Sequence, residues 1–227
     1  AGLAPEAHPH QRRGIAGMPP LAMTSSTRSD LVRRRSYFFF APLARWPGAF
    51  IDGVAVDDQR FQMAPTFERY LEVVEKNKDL WRGVYDRVRL PDDLVAEART
   101  IPGDWYLVAL SEDWCGDAVN TLPVIARLAD ESGWDLRVMS RDDNDDLMDS
   151  HLTNGRARSI PVVIIYDDDF NEIGWWGPRP GEIQAWLMEE GLSMPSPERY
   201  KHVRRWYVKD RGRSTLQELL GLLNRVA

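Results

Sequence analysis

Residues 105–118 read Trp-Tyr-Leu-Val-Ala-Leu-Ser-Glu-Asp-Trp-Cys-Gly-Asp-Ala, and this stretch decides the fold. Its first half is a short, continuous apolar run, which is typical of a buried strand. Directly after its second half, Val119, Leu122 and Ile125 begin an apolar pattern with helical spacing. Cys115 is therefore predicted to lie where a strand turns into a helix.

The chain of 227 residues contains one cysteine, Cys115. A single thiol excludes intrachain disulfides, Cys-x-x-Cys redox pairs and cysteine-based zinc or iron–sulfur sites within one copy of the chain. Any thiol chemistry of this protein therefore needs a second sulfur from another molecule.

The elements that follow Cys115 alternate between helices and strands. Further strands are predicted at residues 136–139, 160–166 and 173–176, and the last two form a hairpin. A short helix is predicted near Leu147, and another helix spans residues 182–190. The order strand, helix, strand, helix, strand, strand, helix predicts an α/β fold.

Helices are also predicted on both sides of this pattern. Apolar residues recur three or four positions apart between Thr66 and Pro91, which predicts one long helix capped by Thr66, and a shorter helix follows Pro91. In the tail, one helix begins with Ser196 as its N-cap, and Ser214 with Gln217 predicts a capping box at the start of another. These helices are interpreted as scaffold, because they carry no catalytic pattern.

The first sixty residues are predicted to be poorly structured. Residues 1–29 are rich in Ala, Pro, Gly, Ser and Arg and show no apolar period. Residues 33–40 place three arginines before an aromatic run, an order shared with twin-arginine export signals. Pro42 and Arg45 soon interrupt the apolar part, so a cytoplasmic location is favoured and export is kept as the alternative.

The charge balance disfavours some classes of partner. The chain has 29 Lys and Arg against 35 Asp and Glu, a net charge of −6, and the acidic residues are concentrated between residues 51 and 191. An acidic body repels nucleic acid, so no nucleic-acid partner is predicted. No apolar stretch approaches the roughly 18–20 residues of a membrane span, and the composition predicts a soluble globular protein.

Two motifs that suggest metals fail on their spacing. Residues 142–146 are acidic like the start of a calcium loop, but Leu147 stands at the required glycine position and Thr153 at the terminal glutamate position. The four histidines show no zinc-ligand spacing. No metal and no resident cofactor are predicted.

The element order, with Trp-Cys-Gly at residues 114–116, resembles the thioredoxin fold, a mixed four-stranded sheet flanked by helices. Further matches are Pro123 in the helix, Ile160-Pro161 where that family has a cis-proline, and Gly177 after the hairpin. The sequence looks most like bacterial thioredoxin family proteins with Glu-Asp-Trp-Cys-Gly-Asp, here residues 112–117. It departs from active thioredoxins at Ala118, the resolving-cysteine position, and at Ala109, the position of a buried aspartate.

The resemblance implies a domain division and a site. It implies a helical N-terminal extension packed on the core at 61–103, a thioredoxin-like domain at 104–191, and a C-terminal helical extension at 192–227. Cys115 would be the catalytic residue, and the substrate would contact Trp114, Gly116, Ile160, Pro161, Gly177 and Arg179. Residues expected to modulate the site are Asp113, Asp117, Ala118, Arg158 and Trp176.

Cys115 is expected to be exposed and reactive. A thiol at a helix N-terminus meets free amide hydrogens and the positive end of the helix dipole, which favour the thiolate. Glu112, Asp113 and Asp117 oppose this by favouring the protonated form. Which influence is stronger depends on distances that the sequence does not contain.

These observations leave three hypotheses for function. The first is monothiol exchange, in which Cys115 attacks a mixed disulfide and a thiol supplied in trans, such as glutathione as co-substrate, completes the cycle. Glutaredoxins carry Gly-Asp after their cis-proline, whereas Val162-Val163 follows Pro161 here, which weakens the glutathione version. The second is a catalytically silent binding module, and the third is a thiol redox sensor. Partners would be protein thiols, mixed disulfides or low-molecular-weight thiols, and the oligomeric state is not predicted.

Overall fold

The computed structural model describes residues 56–225, and the strands of this part form a single mixed sheet. The strands are β1 (Tyr106–Ser111), β2 (Asp135–Ser140), β3 (Val162–Tyr166) and β4 (Glu172–Trp176). They lie in the order β2-β1-β3-β4, with β1 parallel to β2 and β3 antiparallel to both β1 and β4. The predicted mixed four-stranded sheet is confirmed.

Helices cover both faces of this sheet. Those in the described residues are α1 (Asp58–Met63), α2 (Phe67–Val73), α3 (Lys78–Arg87), α4 (Asp92–Thr100), α5 (Gly116–Ser132), α6 (Asp145–Ser150), α7 (Gly181–Glu189), α8 (Ser196–Asp210) and α9 (Arg213–Leu223). A short 3-10 turn, Gly191–Ser193, follows α7. Every residue of β3 is buried, which explains why the central strands are continuous apolar runs in the sequence.

The ordered fold begins a few residues earlier than predicted. Helix α1 starts at Asp58, where the Asp57 carboxylate accepts a hydrogen bond from the Arg60 amide at 2.7 Å. Val56 and Phe61 are buried in the core. Residues 57–60 of the predicted N-terminal extension therefore take part in the N-cap and first turn of an ordered helix. The basic and aromatic segment at 33–40 lies outside the described residues.

The long helix predicted after Thr66 is two helices. Thr66 caps α2 as predicted, by accepting from the Arg69 amide at 3.3 Å. The chain then leaves the helical conformation, and Asn77 takes a left-handed φ of 59° before α3. The Asp113 carboxylate binds the free amides of this break, at residues 75 and 76. This long-range hydrogen bonding replaces the intrahelical bonds that a continuous helix would make.

The C-terminal helix belongs to the main core. α9 packs on α5 and β4. Four of its leucines are buried in the same apolar cluster as the sheet: Leu216, Leu219, Leu220 and Leu223. Helices α7 and α8 instead form a small separate cluster with Ile183, Val203 and Tyr207. α9 therefore completes the main core, while α7 and α8, which lie between β4 and α9, pack mainly against each other; the domain boundary at 191/192 stays a prediction.

Two predicted helix caps differ from the structure. Ser196 lies inside α8, and Pro195 occupies the N-cap position. The capping box at Ser214 does not form, because the Ser214 amide donates its hydrogen bond to the Asp210 carboxylate, at the end of the preceding helix, at 3.2 Å. Both differences arise where two helices follow each other closely.

Candidate functional site

Cys115 sits at the N-cap of α5, at the predicted junction between β1 and a helix. Its side chain accepts from the Ala118 amide at 3.5 Å, and its S–H donates to the Ile160 carbonyl oxygen at 3.3 Å. Only 6% of the residue is exposed. The expectation of an exposed thiol was therefore wrong: the N-cap position orients the sulfur inward, onto the loop before β3.

Burial raises the pKa of the Cys115 thiol above its ordinary value. The Ala118 amide opposes this by stabilising the thiolate, the Asp117 carboxylate raises the pKa further, and Arg179 lowers it. The helix N-terminus thus acts in the expected direction, but desolvation is stronger. At neutral pH the thiol is protonated, and the thiolate required for nucleophilic attack is scarce.

The loop opposite the thiol contains the Ile160–Pro161 peptide bond, which is cis. Ile160 is buried, and its carbonyl is the acceptor for Cys115. Gly177 approaches this loop closely: at its φ of 133° a Cβ would overlap the Pro161 carbonyl oxygen. The Gly177–Pro178 bond is also cis, a feature that the sequence reading did not anticipate. Gly177 therefore permits a backbone contact that no larger residue allows.

Asp117 is the centre of a charged cluster beside the thiol. Its carboxylate pairs with the Arg179 guanidinium at 2.5 Å and accepts from the Tyr207 hydroxyl at 3.0 Å. Arg179 also donates to Gln184 at 3.1 Å. Arg179 was predicted to bind substrate, but in this structure its guanidinium is committed to Asp117.

Tyr207 is the residue of this cluster that sequence reasoning missed as a site residue. It lies on α8, and 90 residues separate it from Asp117. Burial raises its pKa, so that it is a neutral hydrogen-bond donor. No local pattern identifies it, because the insertion of α7 and α8 brings it to the N-terminus of α5.

Other residues predicted for the site have structural roles. Asp113 holds the break between α2 and α3, and its carbonyl accepts from the Trp81 indole at 2.9 Å. Ala118 is fully buried behind Cys115. Gly116 begins α5, with open space where a Cβ would stand. Trp114 is 44% exposed, with the Arg141 guanidinium 5.1 Å from its ring centroid.

Two of the predicted modulators lie in other networks. Arg158 pairs with Asp145 and Asp149 of α6, both at 2.6 Å, so its prediction as a groove residue is not supported by its contacts. Trp176 is buried and its indole donates to Glu218 of α9 at 2.8 Å. The predicted site residues that the structure brings together are Cys115, Ile160, Pro161, Gly177, Asp117 and Arg179. Arg158 and Trp176 instead stabilise the scaffold.

The described residues hold no group of three or more His, Cys, Asp or Glu side chains that could bind a metal ion. Within residues 56–225 no helix has the length and apolarity required to cross a membrane.

Known proteins share this architecture. A family model described as Thioredoxin matches residues 64–194. A crystal structure of a protein of unknown function from Pseudomonas aeruginosa superposes with a TM-score of 0.59 at 15% identity, covering 74% of this chain and 96% of that one. A crystal structure of an HIV epitope-scaffold gives a TM-score of 0.59 at 17% identity with the same coverages. No curated protein matches at a significant level.

Proposed function

We propose that this chain, which belongs to the Thioredoxin family through the match at residues 64–194, acts by binding a partner rather than by turning over disulfides. The observation that carries this proposal is the bond from the Cys115 thiol to the Ile160 carbonyl at 3.3 Å. In that bond the thiol proton of Cys115 is donated to the carbonyl of Ile160, the residue before the cis-proline. In active relatives an extended substrate peptide pairs with this backbone.

The surface available to a partner is the outer side of the Cys115 loop. Trp114 offers a large, partly exposed aromatic ring there, against which the Arg141 guanidinium lies while it is paired with Asp142 at 2.7 Å. Aromatic residues and arginine carry much of the binding energy in protein interfaces. In this function Cys115 acts as a small buried residue that closes the N-terminus of α5.

Monothiol exchange is the second candidate, and one observation favours it: the Ala118 amide and Arg179 both act to stabilise a Cys115 thiolate. The thiolate would attack the glutathionyl sulfur of a protein–glutathione mixed disulfide and release the protein thiolate. A second glutathione thiolate would then attack the Cys115–glutathione disulfide, which returns Cys115 and releases glutathione disulfide. This route requires the loops around Cys115 to open, since the sulfur is buried.

Alkylation of full-length protein by iodoacetamide, followed by mass spectrometry from pH 6 to 11, separates the two candidates. The binding protein has an alkylation midpoint above 9.0, the ordinary value for the thiol. It also gives no glutathionyl mixed disulfide at Cys115 when mixed with a glutathionylated peptide. A midpoint below 9.0, or a trapped mixed disulfide that Cys115→Ser abolishes, would establish the monothiol route instead.

A further inference from the structure

A cavity of about 740 Å³ lies between helices α1 and α2 and the carboxyl ends of β1 and β2. This volume falls within the range of small-molecule sites, roughly 300–1,000 Å³. In open α/β sheets, ligands bind in the crevice outside the carboxyl ends of the strands. Cys115, Trp114 and Arg141 do not line the cavity, so a ligand there uses other side chains than the function proposed above, although Glu112 and Asp113 belong to the same loop.

The cavity has an apolar floor and an apolar rim. Val74, Val138 and Met139 are buried at its floor. At its rim Met63 is 79% and Val73 is 69% exposed, so both side chains present apolar surface that a ligand in the cavity can cover. A ligand that covers these side chains removes apolar surface from water, and the two methionines can adapt to its shape.

The charged groups of the cavity are mostly acidic. Four carboxylates and one guanidinium line it: Asp57, Glu112, Asp113, Asp143 and Arg60. The guanidinium is already bound to Asp146 at 2.6 Å and to Asn144 at 2.8 Å. The cavity therefore presents a negative potential to a ligand, since its cation is paired.

Two of these carboxylates retain acceptor capacity. The Glu112 carboxylate accepts from Ser140 and from the Asp142 amide through Oε1 alone, and Oε2 has no partner in the described residues. The exposed Asp143 carboxylate makes no hydrogen bond within residues 56–225. Asp57 and Asp113, by contrast, are committed to backbone amides.

We propose that this cavity binds small organic amines whose apolar body covers Met63 and Val73 and whose ammonium pairs with Asp143 and Glu112. An anion of the same shape meets the free acceptor oxygens of Glu112 and Asp143 and a guanidinium that is already paired, and is repelled. A neutral analogue gains the apolar contacts but not the ion pair.

Three indoles of similar size test the charge requirement on the full chain: tryptamine, its alcohol analogue tryptophol, and indole-3-propionate. Binding is measured by protein-observed nitrogen-15 NMR titration. Tryptamine is expected to bind about threefold to fivefold more tightly than tryptophol, the contribution of a partly exposed ion pair. Indole-3-propionate is expected to be the weakest. The shifts are expected at the amides of the cavity lining.

Variants at exposed positions keep the fold and change the cavity. Asp143→Asn is expected to remove most of the preference for tryptamine over tryptophol, whereas Asp168→Asn, an exposed carboxylate on the β3–β4 turn, leaves it unchanged. Val73→Lys places a cation at the rim and is expected to abolish tryptamine binding. Equal binding of tryptamine and indole-3-propionate, no saturable shift with tryptamine, or insensitivity of its binding to Asp143→Asn and Val73→Lys would each overturn the proposal.

Discussion

The thiol of Cys115 donates a hydrogen bond to the backbone carbonyl of Ile160, with 3.3 Å between sulfur and oxygen. This bond joins the N-terminus of α5 to the loop before β3, across 45 residues of sequence. It holds the sulfur in its protonated state and away from solvent. The chemistry of the site therefore depends on what surrounds this bond, and the charged side chains that act on the thiol are Asp117 and Arg179.

Substitutions at Asp117 and Arg179 are expected to move the pKa of Cys115 in opposite directions. Asp117→Asn removes a carboxylate that disfavours the thiolate and frees Arg179, so the pKa of Cys115 falls. Arg179→Gln removes a cation that favours the thiolate, so the pKa rises. The pH dependence of iodoacetamide alkylation measures both shifts. Movement of both variants in the same direction would contradict this electrostatic assignment.

Gly177→Ala is expected to destabilise the fold by about 2–4 kcal/mol, because the new methyl group overlaps the Pro161 carbonyl and the φ of 133° is unfavourable for alanine. Gly116→Ala is the matched control: no atom lies within 4 Å of a Cβ there, and the expected change is within about 0.5 kcal/mol. Urea denaturation of each variant gives the free energy of unfolding. Equal values for the two variants would show that the approach of Gly177 to Pro161 is not tight.

Leu219→Ala is expected to cost about 2–5 kcal/mol of unfolding free energy, because this fully buried leucine joins α9 to the main core. Gln217→Ala, at an exposed position of the same helix, is expected to change stability by less than about 0.5 kcal/mol. Chemical denaturation distinguishes them. A negligible cost at Leu219 would restore the interpretation of α9 as an appended extension.

The His151 imidazole is expected to make stability depend on pH. Burial alone lowers the pKa of His151, but hydrogen bonds to the Glu172 carboxylate at 3.1 Å and to the Leu147 carbonyl raise it above its ordinary value of 6.5. The folded state therefore binds the proton more tightly than the unfolded chain does. The resulting stability is complete below pH 6.5 and is lost as pH rises through the folded-state pKa.

Urea denaturation between pH 5.5 and 8.5 checks this, with Glu172→Gln as the control that removes the carboxylate. The wild type is expected to lose stability relative to Glu172→Gln as pH rises over this interval. Parallel stability curves for the two proteins would exclude His151 as the titrating group.

The local features of the fold could be predicted because they depend on neighbouring residues. The central strands are buried on both faces, so they appear as apolar runs, and Thr66 caps α2 through an amide three residues away. The position of Cys115 at a strand-to-helix junction follows from the same local patterns. The break between α2 and α3 was missed because Asp113, some 37 residues later, supplies the hydrogen bonds that replace the helical ones.

The order of strands and helices from β1 to α7 could be predicted from short-range periodicity, and the Trp-Cys-Gly junction carried the resemblance to the family. The sequence also determined that one copy of the chain cannot form its own disulfide, because it holds a single cysteine. The tertiary structure decided whether that cysteine is exposed. Packing against the loop of Ile160 buries the thiol, and this burial raises its pKa although Arg179, which pairs with Asp117, acts in the opposite direction. Desolvation depends on which distant segments meet, and no local pattern records that.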